Sequence, residues 1–209
     1  MKTTTSSVSG FTLVELIMAL TLTAFLLGVA VAAFSGALGS RDRESSRADA
    51  LTSAQAALNI MSREIGNAGY GLMDNGVVTP DSTNQRLHVL SNIDNVGDNG
   101  TNLGQPGEDI LFSYDAASQS IVRYDQYSGT TSGLVNRISS VAFTYRNYVY
   151  DPVTGTTTES VGAAGPDTGK ITIDLTVTLP DARGQTSGRQ EKLSSQVTLR
   201  NSSYMLQQY

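Results

Sequence analysis

The chain contains no cysteine and no tryptophan, and its only histidine is His88. Without cysteine the fold has no disulfide and no thiolate metal site, although an oxidising compartment stays open to it. A single histidine excludes a histidine-rich metal cluster, and the missing cysteine excludes a cysteine–histidine nucleophile pair. No P-loop and no HExxH pattern occurs. The many serines have no neighbouring sequence context that would activate one. The acidic neighbours Glu108 and Asp109 would point apart on a strand, which argues against shared acid–base work. The sequence therefore predicts no enzyme, no cofactor and no catalytic residue. Lysine is scarce, and the 14 basic residues are scattered, with only Arg41, Arg43 and Arg47 close together. A formal net charge of −5 with no dense basic surface argues against nucleic acid as a partner.

What is present is a long apolar run. Residues 11 to 34, FTLVELIMALTLTAFLLGVAVAAF, hold one charged residue, Glu15. A membrane-spanning helix needs about 20 apolar residues at about 1.5 Å rise each. In lipid the backbone must satisfy its own hydrogen bonds, so the run is predicted helical. Thr12, Thr21 and Thr23 fit, because a helix bonds hydroxyls back to its own carbonyls. A carboxylate inside such a run is costly, which points to a partner or a function for Glu15. The preceding segment, MKTTTSSVSG, is short and polar, with Lys2 its only side-chain charge.

Gly10-Phe11-Thr12-Leu13-Val14-Glu15, followed by the apolar run, resembles the processing and methylation motif of type IV prepilins and pseudopilins. The resemblance implies a prepilin peptidase that cuts between Gly10 and Phe11, and N-methylation of Phe11. It also implies a helix that ends in a filament core, with the N-terminus cytoplasmic and the remainder outside. Charge alone orients the anchor weakly, since Lys2 is set against Arg41, Arg43 and Arg47. On this view Glu15 neutralises the α-amine freed on Phe11, in its own or a neighbouring subunit, and sets axial register. The alternatives are a simple anchor or a secretory signal cut after the apolar run, where Ala30-Val31-Ala32 and Ala32-Ala33-Phe34 imitate a cleavage site.

Four segments follow in order: a leader (1–10), a transmembrane or filament-core helix (11–34), an amphipathic continuation of that helix (35–66) and a β-rich head (67–209). Gly28, Gly36 and Gly39 weaken the helix by about 1 kcal/mol each relative to alanine, while Gly28, Ala32 and Ala33 permit close helix approach. Arg41, Asp42, Arg43, Glu44 and Arg47 form a polar collar. Leu51, Ala54, Leu58, Met61 and Ile65 recur at spacings of three and four, an apolar stripe suited to packing on a sheet. Ser53, Gln55, Asn59 and Ser62 are assigned to the opposite face. Gly66 to Gly71 should end the helix. Residues 62–71, SREIGNAGYG, are similar to the helix end of PilW-type minor pilins and J-type pseudopilins, the matching positions being Arg63, Ile65, Asn67, Ala68, Gly69 and Tyr70. Gly66 departs from that pattern, which predicts a less rigid helix end.

The head reads as turns and strands. Residues 72–108 are turn-rich, with one strand at 86–91 that directs Leu87, Val89 and Ile93 inward and carries His88 on its surface as a bystander. Asp94, Asp98 and Asn99, beside glycines, supply hard oxygen donors, a weak calcium candidate. Their spacing lacks the terminal glutamate of a calcium loop, and an Asn/Asp/Gly turn explains them equally. Strands follow at 109–114 and 120–124, joined by a hairpin link at 115–119. Residues 134–150 hold a half-buried strand with Val141, Phe143 and Tyr145 inward, and 134–140 form either a separate strand or a turn. A loop is expected at 151–169, then strands at 170–179 and 191–200 with a long link between them. The tail, 201–209, is expected to fray or to cover the sheet. The predicted fold is α+β and pilin-like, a long N-terminal helix packed on an antiparallel sheet.

The function this implies is a minor pilin subunit for type IV pilus assembly, initiation or tip structure. The implied partners are the prepilin peptidase, other major and minor pilins and an inner-membrane assembly platform. The implied location is the bacterial inner membrane before assembly and the pilus at the cell surface afterwards, with motility or cell adhesion as consequences. The rivals are a J-type pseudopilin of type II secretion, a major pilin, and an anchored surface adhesin that stacks ligands on Tyr124, Tyr127 or the tyrosines of 145–150. Those tyrosines serve equally as cross-strand pairs.

Overall fold

A computed structural model describes residues 10–94, 96, 103–181 and 187–206. The chain divides into two compact units, one ending at Ser45 and one beginning at Ser46. Helix α1 (Leu13–Gly66) contributes residues to both.

The first unit is helical because its sequence offers nothing else to the backbone. The run has no proline, and its polar side chains bond locally. Thr21 donates its hydroxyl to the Met18 carbonyl at 3.0 Å and Thr23 to the Ala19 carbonyl at 2.7 Å. The 18-residue window that marks the run as long and apolar enough to cross a membrane contains no buried residue.

In the second unit the rest of α1 lies against two sheets. The first consists of β1 (Arg86–Leu90), β2 (Asp109–Asp115), β3 (Ser120–Asp125) and β4 (Thr130–Val135), in that order. The second holds β5 (Ile138–Asp151), β6 (Thr156–Gly162), β7 (Thr168–Thr178) and β8 (Gln190–Thr198), in the order β6-β5-β7-β8. Every pairing is antiparallel. The layout is α+β, and it corrects the single sheet predicted from sequence. Residues 134–150 belong to two strands in different sheets, separated by Asn136 and Arg137, the latter with φ +61°. β5 turns away from β4 and pairs with β7 instead. The expected loop at 151–169 contains β6, all seven of whose residues are exposed. A strand wetted on both faces has no hydrophobic alternation to announce it.

One core joins these layers. Ala54, Ala57, Leu58, Met61 and Ile65 of α1 cluster with Leu87, Ile110, Phe112 and Ile121 of the first sheet and Val141, Phe143, Ile171, Ile173 and Leu175 of the second. Burying each large side chain contributes about 1.5–3 kcal/mol. Leu51 is only half-buried and lies outside the core cluster, so the face of α1 on the sheets runs through Ala50 and Ala54 rather than Leu51. Ser62 is not on the outer face either: its hydroxyl lies 2.9 Å from that of Ser195 on β8. Ile93 is exposed, beyond the inward-facing Leu87 and Val89. Asn84 and Gln85 bridge the two sheets, their carbonyls accepting from the Phe143 and Tyr114 amides at 2.8 and 3.3 Å. After β8 the chain forms a short helix, α2 (Ser203–Leu206), whose Tyr204 stacks on Tyr148 of β5 with ring centroids 4.0 Å apart.

Candidate functional site

Gly10 and Phe11 precede the helix, and the Phe11 ring is 89 % exposed. Thr12 caps α1. Its hydroxyl accepts the Glu15 amide at 3.2 Å, while its own amide and hydroxyl each donate to Glu15 Oε2 at 2.9 Å. This is a capping box, in which Thr and a Glu three residues on satisfy each other's backbone donors. The sequence pattern T-x-x-E announces it, and the reading of Glu15 purely as a partner for the Phe11 amine passes it over. The box folds the carboxylate back over the first helical turn, one residue from Phe11.

The apolar side chains from Phe11 to Leu38 are all well exposed. Continuous apolar surface on this scale exceeds the few hundred Å² that a soluble monomer normally leaves open, and it calls for lipid or for other apolar protein surface. A Cβ added at Gly28, Gly36 or Gly39 would meet nothing within 4 Å, so none of the three is required by a contact in this chain.

At the other end of α1 the structure sorts the helix-end residues. Ile65, Ala68 and Gly69 are buried, while Arg63, Asn67 and Tyr70 are exposed. The Gly69 amide donates to the Leu90 carbonyl at 2.8 Å, the Leu90 amide to the Gly76 carbonyl at 2.7 Å, and the Asn92 amide to the Tyr70 carbonyl at 2.7 Å. Gly69 and Gly76 have φ of +77° and +71°, where a side chain is strained. Asn75, buried, donates to the carbonyls of Gly165, Pro166 and Thr168 at 2.9, 3.2 and 2.9 Å, and Asn201 donates to those of Leu72 and Asp74. The less rigid end expected from Gly66 is therefore corrected. Gly66 is buried, its Cβ position lies 3.5 Å from Val197 Cγ1, and the turn after it is tied to three other segments. Sequence reasoning treated Asn75 and Asn201 as turn and tail residues, because nothing local marks their distant acceptors.

A half-buried ion pair adds to this end of the helix. Arg123 Nε of β3 donates to both carboxylate oxygens of Glu64, at 2.8 and 3.1 Å. Nearer the start of the second unit, Arg47 meets Glu191 of β8 at 2.8 Å. Of the other collar residues, Arg41, Asp42 and Glu44 are exposed, and half-buried Arg43 donates to the Ser40 hydroxyl at 2.6 Å.

His88 is not a surface bystander. It is buried, with Nδ1 3.1 Å from Asp81 Oδ2 and Nε2 2.7 Å from Asp109 Oδ1. The cause is tertiary: the 3-10 turn Thr79–Asp81 folds over β1, held by the Val78 amide on the His88 carbonyl. Glu108 sits in the bend just before β2. Fully buried, it accepts the amides of Ile93, Asp94 and Gln105 at 2.8, 3.4 and 2.9 Å and gathers that loop. Of the calcium candidates, Asp94 uses Oδ1 to accept the Val96 amide at 3.0 Å. Asp98 and Asn99 lie outside the described residues. Among the described residues no three His, Asp or Glu side chains are grouped to hold a metal ion.

The tyrosines divide by role. Tyr145 is buried and donates to the Thr83 carbonyl at 2.7 Å, and burial pushes its phenol well above the ordinary range. Tyr148 is buried under Tyr204, with Lys170 Nζ 5.3 and 5.1 Å from the two ring centroids. Burial, and then its hydrogen bond to Glu159, raise the Tyr148 pKa. The bonded Arg146 lowers that of Glu159. Tyr127 and Tyr150 are exposed. Compared with family models, with curated proteins and with solved structures, the chain matches nothing.

Proposed function

We propose that this protein is a membrane-anchored subunit of a protein filament, and that it catalyses no reaction. The observation that carries this is the junction at residues 10–15. A glycine and an accessible aromatic stand just outside a capped helix, and the large apolar side chains from Phe11 to Leu38 are all exposed. Cleavage between Gly10 and Phe11 would need no unfolding of the helix. The freed amine would lie one residue from the Thr12 amide that the Glu15 carboxylate already holds.

Within that class the chain is a minor pilin of a type IV pilus. The support is the resemblance of Gly10–Glu15 to the prepilin motif and of residues 62–71 to the PilW-type helix end. The head joins the pilus through its helix and through the surfaces of its sheets. Its partners are the prepilin peptidase, the inner-membrane platform and other pilins. Before assembly it stays in the inner membrane with the head outside the cytoplasm. Mass spectrometry of sheared filaments tests the reading. The expected result is this chain beginning at N-methylated Phe11. Recovery with the first ten residues attached, or with the apolar helix removed, overturns it.

A further inference from the structure

We propose that Asn75-Gly76 is a modification site gated by the fold: a deamidation site closed in the folded head and open in the unfolded one, whose reaction commits the chain to the unfolded state. Both residues are imposed by packing. Gly76 has φ +71°, and a Cβ there would fall on the Gly69 nitrogen and the Leu90 carbonyl oxygen, so no other residue fits. Asn75, 3 % exposed, is the donor for the carbonyls of Gly165, Pro166 and Thr168, and its Oδ1 accepts the Val77 amide at 3.1 Å. The fold therefore demands an Asn-Gly pair. Asparagine is a thermolabile residue, and most so before glycine, where no side chain shields the next amide from the asparagine Cγ.

In the reaction the Gly76 nitrogen gives its proton to water and bonds to Asn75 Cγ. The Cγ–Nδ2 bond breaks, ammonia leaves with the returned proton, and a cyclic imide remains. Water then opens the imide at either carbonyl, leaving aspartate or isoaspartate. One water is consumed and one ammonia released, with no oxidation or reduction. The folded head blocks the first step. Asp74 Oδ1 holds the Gly76 amide at 2.9 Å, and the Leu90 amide holds its carbonyl at 2.7 Å. Turning the Asn75 side chain toward the Gly76 nitrogen would break its four hydrogen bonds in a buried site. The product cannot return. Aspartate at 75 would set a buried charge against three carbonyl oxygens that only accept. Isoaspartate would add a backbone atom to a turn in which Gly76 has no room. Domains rich in non-local pairings refold within about milliseconds to seconds, far faster than deamidation. Brief opening therefore leaves no mark, and prolonged opening becomes irreversible.

The test uses the detergent-solubilised full chain at mildly alkaline pH, one portion folded and one held in guanidinium chloride, with residue 75 read by peptide mass spectrometry. Asn99-Gly100, the other Asn-Gly of the sequence, is the internal clock of the denatured portion. Acid at 75 should accumulate alongside acid at 99 in the denatured portion, and that conversion at 75 should be lost in the folded one. After the denaturant is diluted, the fraction that recovers native near-UV circular dichroism should hold the amide at 75, and the acid should stay in the fraction that does not refold. Asn201→Ala removes the ties to the Leu72 and Asp74 carbonyls and leaves Asn75 itself intact. It should raise conversion at 75 in the folded portion and leave the denatured rate unchanged. Equal conversion in the folded and denatured portions overturns the proposal, as does conversion at 99 without conversion at 75 in the denatured one. Acid and amide refolding in equal proportion overturns it too, and so does an Asn201→Ala chain whose folded portion converts no faster.

Discussion

Two glycines three residues apart, Gly66 and Gly69, should respond to alanine with opposite signs. Gly69 has φ +77°, and a Cβ there would fall on the Asp74 carbonyl oxygen and within 2.8 Å of the Asn75 carbonyl carbon. That carbonyl cannot retreat cheaply. Asn201 Nδ2 holds the Asp74 oxygen at 2.7 Å, and Asn75 is pinned by three acceptors across the 165–168 turn. The left-handed conformation costs an L-residue about 1–2 kcal/mol, and overpacking about 1–3 kcal/mol more. Gly69→Ala should therefore destabilise by about 2–5 kcal/mol, which in a domain of this size is a drop of about 4–20 °C. Gly66 is helical, and its Cβ would make an ordinary 3.5 Å contact with Val197 Cγ1. Alanine there recovers up to about 1 kcal/mol of helix propensity. Thermal unfolding of the detergent-solubilised full chain, followed by tyrosine near-UV circular dichroism, separates the two, since the chain has no tryptophan. If Gly69→Ala melts at the same temperature as Gly66→Ala, the tied helix end described above does not hold the head together.

Glu64 and Arg123 form a two-oxygen ion pair at the helix–sheet boundary. A double-mutant cycle with alanine at each should return a coupling of about 1–3 kcal/mol, and a coupling near zero would show the pair to be ornamental. Asp125 has a depressed pKa: burial works to raise it, but the amides of Ser128 and Gly107 and the charge of Arg123 outweigh burial. Its stabilisation is complete above the unfolded aspartate value, about 3.9, and is lost as pH falls through the lower folded value. Melting temperatures should fall below about pH 4, and Asp125→Asn should flatten that fall; an unchanged slope in the variant removes Asp125 from the account. Glu15→Leu should leave membrane insertion intact yet reduce entry into filaments, read by comparing the membrane and sheared fractions. Normal incorporation of the variant denies Glu15 a part in assembly.

How much was legible beforehand follows from what local patterns record. The apolar run and its unbroken continuation into the 51–65 stripe specify α1, because neither offers the backbone an alternative to its own hydrogen bonds. The strict alternation of Ile171, Ile173, Leu175 and Val177, all fully buried, specifies β7. Even the capping box was written in Thr12 and Glu15, although it took the geometry to draw the eye to it. The prepilin-like motif is likewise a property of adjacent residues, and it carries the proposed processing site without any fold.

Alternation reports one-sided burial and nothing else. β6 has both faces in water, so its threonines looked like loop. His88 looked exposed because the turn that covers it arrives from outside the strand. Asn75 and Asn201 looked like ordinary turn residues because their acceptors lie on other segments of the chain. The amino-acid sequence by itself determined where the helix runs, where most buried strands run and how the N-terminus is equipped. Tertiary structure alone decided that β5 leaves β4 for β7 and makes two sheets of one, and which polar side chains lock the helix end. The reason is that strand partners and buried acceptors are chosen among segments far apart in the chain, by which closure buries the most apolar surface with the fewest unpaired polar groups.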